Sequence, residues 1–289
     1  MGLKTKIAGY VSLIRDRKKY SLLSVIITDL ARIPFYILPA PKGILVMDEV
    51  WDYLIVLDGC RLDTFKKMND IPGNLKKVRS FGSQTVCWLK GNFKERYEDT
   101  VYVSSAPTVS RKAFHGFKGS DHFFEVIDAW RKSDKELKVT LPDEVTRQAL
   151  DAIKKYPGKR VIIHYIQPHV PYVGKTKIPM TDDYNEDLAR IKIFNNKLLQ
   201  RAYRDNLELV LAEVKKLISA MEPGKKIVIT ADHGDHIGRI PFTNHPHHIH
   251  IPQLIDVPWL DVDEGAVGTG KGYEGNKGRL DNIIDEVKI

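Results

Sequence analysis

The sequence predicts an α/β fold in which helices sandwich a mostly parallel central sheet. Three observations predict it. Apolar runs of strand length alternate with longer helical patterns, the arrangement expected of a parallel sheet covered on both faces. Three of those runs end in polar, metal-competent residues, at the carboxyl edge where open α/β sheets bind ligands. The chain has 289 residues and 43% hydrophobic content, enough for one large domain with a substantial core.

Residues 1–45 read as an amphipathic, helical leader. Its most apolar stretch, Leu22 to Leu38, is interrupted by Asp29 and Arg32, and its helix is broken at Pro34 and Pro39. It therefore does not read as a bilayer span, and it suits a segment lying on a membrane or on the protein's own flank. The basic first twenty residues are not followed by the apolar core and cleavage site of a secretory signal. Residues 46–260 carry the main domain. Its strands are expected at Asp52 to Leu57, Thr100 to Ser104, Arg160 to Ile166 and Lys226 to Thr230. Two helices are well marked. One opens at Pro142-Asp143-Glu144, continues through Val145, Leu150 and Ile153, and stops at Pro157-Gly158. The other, Leu198 to Met221, carries Leu207, Val210, Leu211, Val214, Leu217 and Ile218 on one stripe. Residues 261–289 turn glycine-rich and charged, a surface tail with a short helix near Leu280 to Val287.

Lysine and arginine outnumber acidic residues 45 to 37, for a formal charge of +8 spread along the chain. Such a field favours anionic partners without selecting among phosphate esters, sulfate esters, nucleic acid or acidic lipid. No aromatic-and-basic RNA motif or helix-turn-helix is present, which argues against nucleic acid. Two cysteines, Cys60 and Cys87, make no disulfide framework, so a reducing, cytoplasmic setting is expected, peripheral to a membrane if the leader docks there.

The reactive residues follow three strands. The first delivers Asp58, which taken alone reads equally as a carboxylate capping the next helix. The Lys226 to Thr230 run delivers Asp232-His233-Gly234-Asp235-His236, a hard oxygen and an imidazole in adjacent positions, as zinc or manganese requires. The Arg160 to Ile166 run delivers Gln167-Pro168-His169; His164, inside that run, reads as a core histidine. A loop then gathers His245, His247, His248 and His250.

LeuAspGlyCysArg, GlnProHisValProTyr and AlaAspHisGlyAspHisIleGly together resemble the successive landmarks of the alkaline phosphatase superfamily, in its sulfatase-like branch. ThrAsnHisPro, IleProGlnLeu and ValProTrp are similar to the closing motif of a group of archaeal sulfatase-like proteins. The resemblance runs from about Val50 to Trp259. It implies an α/β sandwich with one or two divalent cations (zinc, manganese, magnesium or calcium) at the sheet edge. By motif position it implies Asp58, Asp232 and His233 as metal ligands. The nucleophile it implies lies downstream of the first aspartate. There Thr85 is favoured by the following TrpLeuLysGly, with a hydroxyl that touches the metal, and Ser83 is the close competitor. Neither cysteine sits in the Cys-x-Pro-x-Arg context of formylglycine sulfatases, and Gln167 stands where two-metal relatives place an aspartate. The first departure moves the expectation toward phosphoryl chemistry, and the second, a weak amide ligand, argues against a full second metal site.

His169 and His245 are then expected to meet the substrate or protonate the leaving group, His245 with a second cation as its other role. Arg61, Ser83, Lys90, Gln167 and His236 are the expected substrate contacts, with Arg79 a further basic flank. The function expected is metal-dependent hydrolysis of phosphate mono- or diesters through Thr85. The alternatives are a phosphoglycerol- or phosphoethanolamine-type transferase or sulfatase acting on glycans or lipids, and a noncatalytic protein of the same fold that binds an anionic polymer or membrane. The partner is an anionic ester: a small molecule, a glycan or a lipid head group.

Overall fold

In the computed structural model, residues 3–39, 42–113, 115–178, 180–181, 183–240, 242 and 245–269 are described. The chain opens with helices α1 (Leu3–Arg15) and α2 (Lys19–Arg32) and a 3-10 turn at Ile33–Tyr36. There follow β1 (Tyr53–Leu57), α3 (Leu62–Met68), β2 (Gly73–Arg79), α4 (Thr85–Asn92), β3 (Tyr97–Ser104) and β4 (Phe123–Asp128). Then come α5 (Pro142–Lys155), β5 (Arg160–Tyr165), α6 (Tyr184–Phe194), α7 (Asn196–Ala220), β6 (Ile227–Thr230), α8 (Pro252–Ile255) and β7 (Asp256–Val262).

Among the described residues these strands make one seven-stranded sheet in the order β2-β7-β6-β1-β5-β3-β4. The four strands of the inner run from β6 to β3 pair in parallel, as does β4 with β3, while β7 and β2 join antiparallel at the other edge. The mostly parallel sheet expected from the sequence is therefore present, and β1, β5 and β6 are buried along their length or nearly so, as the centre of a doubly covered sheet must be. Three strands fall outside the sequence expectation: β2, β4 and β7. The first is a lysine-bearing edge strand, largely exposed, and β7 carries Pro258 in its interior, a residue that ordinarily argues against a strand. β7 also runs past residue 260, so Asp261 and Val262 pair with Asn74 and Gly73. The expected helix near Leu280 to Val287 lies outside the described residues.

Each face of the sheet has its own core. On one, α5 and α7 set Ala149, Leu207, Val210 and Val214 against Ile55, Leu57 and Ile163. On the other, Trp88 and Leu89 of α4 meet Leu54, Val56, Ile162 and Val228. Alternation along the strands assigns these faces, and extending the alternation two residues beyond Val56 and Thr230 carries Asp58 and Asp232 out on the α4 side.

Candidate active site

β1 and β6 are neighbours, in register from Tyr53 opposite Ile227 to Val56 opposite Thr230, so the residues that leave them at the carboxyl edge emerge side by side. The Asp58 amide donates to Tyr165 O at 2.9 Å, fixing the exit from β1. Gly59 then takes φ +66°, a backbone state open to glycine, and its N–H donates to Asp232 Oδ1 at 3.1 Å. The His233 amide donates to the same oxygen at 2.9 Å. Gly234 permits the next turn: a Cβ there would lie 2.1 Å from the Gln253 carbonyl oxygen. The Ser80 hydroxyl is bonded to the Asp232 carbonyl.

These constraints bring Asp58, Asp232, His233 and Thr85 together, the four side chains expected to share a metal. His233 Nε2 lies 3.3 Å from Asp232 Oδ2, 3.6 Å from Asp58 Oδ1 and 3.3 Å from Thr85 Oγ1. The Thr85 hydroxyl is close enough to both carboxylates to lower their pKa values. Thr85 reaches them because it opens α4 three and four residues before Trp88 and Leu89, which clamp that helix face to the sheet. At the first position of a helix the backbone dipole also favours negative charge.

His164 belongs to this cluster as well, and its reading as a core histidine missed that. It is fully buried, but its Nε2 points at the carboxylates, 3.8 Å from Asp58 Oδ2 and 4.0 Å from Asp232 Oδ2. Ligand-competent atoms of Asp58, His164 and Asp232 all lie within 4.8 Å of one another. Its Nδ1 meets Tyr102 Oη at 2.7 Å. The signal was in the sequence: His164 stands two residues after Ile162, so strand alternation puts it on the α4 face with Asp58 and Asp232.

The donor set fits a divalent cation. Asp232 Oδ2 and His164 Nε2 are buried without a hydrogen-bond partner, a costly state for polar atoms that a cation relieves. His233 Nδ1 donates to Gly234 O at 2.8 Å, which turns Nε2 toward the carboxylates. His233 Nε2 is the nearer imidazole to each carboxylate, whereas the set whose donor atoms all lie within 4.8 Å of one another is Asp58, Asp232 and His164. Burial, then Asp232 and Asp235, push the Asp58 carboxyl well above its usual range. Asp232 goes the other way: burial raises it, but His233, His164, the Thr85 hydroxyl and the Gly59 amide together hold it below the ordinary value. Burial pushes His164 down to about 4, against the pull of Asp232.

A second cluster adjoins the first. His169 Nδ1 donates to Val170 O at 2.9 Å, so its Nε2 is an acceptor, and the 2.9 Å contact between His169 Nε2 and His245 Nε2 places the shared proton on His245. The His245 ring lies 4.3 Å from that of His233, centroid to centroid. Burial depresses both His169 and His245, the latter further through His233 and His169. Asp235, absent from the expected site residues, is buried beside them. Its burial raises its pKa, yet His169, His245 and Lys192 outweigh that and hold it low. Lys192, buried in α6, donates to Phe242 O at 2.9 Å, and burial pushes its ammonium down to about 8.

The remaining expected contacts occupy supporting places. Ser83 is buried and donates to Pro246 O at 2.6 Å, tying the loop before α4 to the histidine loop. Arg61 pairs with Asp63 at 2.7 Å and donates to Asp235 O at 3.0 Å. Gln167 donates to Thr140 O at 3.0 Å and keeps a buried, unpartnered Oε1. His236 packs on Phe242 and is pushed down to about 4 by burial, with Lys192 adding to the effect. Lys90 is exposed on α4, and Arg79 pairs with Asp256 on the sheet edge. Cys60 is buried in the α7-side core, its thiol pushed up by burial.

No protein-family model and no curated protein matches the sequence. Solved structures do match. The soluble domain of lipooligosaccharide phosphoethanolamine transferase A from Neisseria meningitidis superposes with a TM-score of 0.52 at 14% identity, over 73% of this chain and 75% of that one. The integral membrane form of that protein superposes with a TM-score of 0.51 at 16% identity, over 77% of this chain and 49% of its own length. At such identity the likeness is one of fold alone: the chain carries the α/β fold of these transferase domains.

Proposed function

We propose that this chain is a metal-dependent enzyme that cleaves phosphate esters through Thr85. The observation that carries the reading is the position of Thr85 Oγ1, 3.3 Å from His233 Nε2 and beside two buried carboxylates, with the His169–His245 pair adjoining. Asp58, Asp232, His233 and Thr85, with His164 behind them, would hold a divalent cation, which would supply Lewis-acid charge and make a coordinated hydroxyl acidic enough to react.

The chain's own groups then do the rest. Thr85 Oγ1 forms a bond to phosphorus as the bond from phosphorus to the ester oxygen breaks, and the Thr85 proton passes to a neighbouring carboxylate. The departing oxygen takes the Nε2 proton of His245, which must enter this step as imidazolium, protonated on both ring nitrogens, and leaves it as the neutral ring hydrogen-bonded to His169. Water or a second alcohol next attacks the phosphothreonine and gives its proton to His245, while the departing Thr85 Oγ1 recovers its proton from the carboxylate. Water gives hydrolysis and an alcohol gives transfer, and the superposed structures, named as phosphoethanolamine transferases, support transfer. Neither cysteine contributes the nucleophile in this reading, which favours phosphate over sulfate esters.

The test is Thr85→Ala, assayed with nitrophenyl phosphate mono- and diesters and nitrophenyl sulfate after loading with zinc or manganese. Wild type is expected to turn over phosphate esters only when loaded, and the variant to lose activity by about 100-fold or more. Undiminished metal-dependent turnover in the variant removes Thr85 from the mechanism. Metal retention with no turnover of any ester favours the noncatalytic binding reading.

A further inference from the structure

Helix α2 is amphipathic the wrong way round for a helix that covers a protein core. It buries Ser21, Ser24 and Thr28, one turn apart, against the rest of the molecule. The opposite stripe, Leu23, Ile26 and Leu30, continues through Ile33 and Ile37 and faces solvent, with exposures from 41% at Ile26 to 85% at Ile37. Helix α1 adds Ile7, Val11 and Ile14 at the same helical spacing, each more than half exposed. The orientation is fixed. The Tyr20 and Ser21 amides donate to the Glu186 carboxylate of α6, Tyr20 stands edge-on to Phe194, and Tyr10 Oη and Lys6 meet Asp29 across the hairpin. An apolar face of this extent, held outward by polar contacts, marks an interaction surface.

Charge selects the occupant. Between Thr5 and Leu38 there are six basic residues, Lys6, Arg15, Arg17, Lys18, Lys19 and Arg32, against two acidic ones, Asp16 and Asp29. Both acidic groups are paired within the hairpin, Asp16 with Arg15 and Asp29 with Lys6 and Arg32. Arg17 and Lys19 remain exposed at the turn. A second copy brings like charge to this surface, whereas an anionic bilayer attracts it. No helix among the described residues is long and apolar enough to cross a membrane, so the hairpin lies on the surface. Its far end leads to the site: Arg32 donates to His247 O at 2.9 Å, and Phe35 and Tyr36 pack on His250 and His248, in the loop that carries His245.

We propose that the α1–α2 hairpin docks this protein on an anionic lipid bilayer and sets the mouth of the active site at the headgroup level, so that the ester cleaved is one displayed there. The docking stands on the hairpin alone; only the identity of the ester rests on the proposed phosphoester chemistry. The full chain is mixed with phosphatidylcholine vesicles containing about 30% phosphatidylglycerol, or none, and sedimented at low and high salt. Wild type and Thr85→Ala are both expected to sediment with the anionic vesicles, and less so at high salt. An Ile26→Asp, Leu30→Asp, Ile33→Asp triple variant is expected to partition at least about tenfold less. It should turn over soluble nitrophenyl phosphate esters as wild type does. Should that variant misfold, Arg17→Glu with Lys19→Glu tests the same face and should weaken binding to anionic vesicles alone. Wild type that stays in solution with both vesicle types, or variants that sediment as wild type does, overturn the docking. So does a wild-type dimer, seen by sedimentation velocity, that the triple variant converts to monomers without vesicle binding. Vesicle binding by a protein with no esterase activity overturns the choice of ester and leaves the docking intact.

Discussion

Replacing Asp58 by asparagine should stabilise the metal-free protein and remove most of its response to metal. Asp58 and Asp232 are buried, and their oxygens lie within the 4.8 Å group that includes His164 Nε2. Two unit charges at about that separation repel by about 3.5 kcal/mol at an effective dielectric constant of about 20. Burial and Asp232 already favour the protonated form of Asp58, which relieves part of this repulsion in the wild type. Asparagine relieves the remainder, leaving a net gain of about 1–2 kcal/mol, or roughly 2–8 °C in melting temperature. Metal reverses the order. At a free concentration of about 100 times Kd, a cation that binds only the folded state adds about 2.7 kcal/mol to the wild type. A neutral amide in place of a carboxylate should lose most of that increment. Calorimetric melts of both proteins, chelated and then reloaded with zinc or manganese, read the two effects separately. A chelated variant that melts below the chelated wild type and keeps the full metal increment would refute the reasoning.

Lys192→Met probes the second cluster through pH. The folded pKa of Lys192 is about 8, against an ordinary 10.5, because burial disfavours its charge despite Asp235. A lowered lysine pKa means that the unfolded chain binds the proton more tightly between those values, so wild-type stability rises with pH there relative to the variant. The burial penalty is fully present below about pH 8 and is relieved by about pH 10.5, to a total of about 3 kcal/mol. Urea melts across that window check it, and identical pH profiles would contradict it. His245→Gln should slow cleavage of an alkyl phosphodiester by about 100-fold while scarcely affecting a nitrophenyl ester, whose leaving group needs no proton. Equal losses on both substrates, measured as kcat, would exclude His245 as the proton donor.

The central strands were legible because burial on both faces leaves them almost no freedom in residue type. The edges were not. β2 uses Lys76 and Lys77 where a buried strand cannot, and β7 tolerates Pro258, whose carbonyl accepts from Thr230 Oγ1 at 2.7 Å although its nitrogen has no proton to give. At the site, Asp58, Asp232 and His233 could be named because each leaves a strand at its carboxyl edge. Thr85 was reached only through the likeness of the residues that follow it, since nothing local distinguishes a reactive hydroxyl from one in an ordinary turn. His164 was misread for a different reason. A histidine within an apolar run looks like core, and it becomes a site residue only when alternation is carried across three strands together. Asp235 and Lys192 come within electrostatic range of each other through tertiary packing of α6 on the loop after β6, which no local pattern encodes.

The most direct measurement of the central claim is an acid-quenched reaction of the metal-loaded protein with a phosphodiester, followed by peptide mass spectrometry. A phosphoryl adduct on Thr85, formed within the first turnover and absent from Thr85→Ala, is the expected result. Turnover that leaves Thr85 unmodified, or that places the adduct on Ser83, would contradict the account.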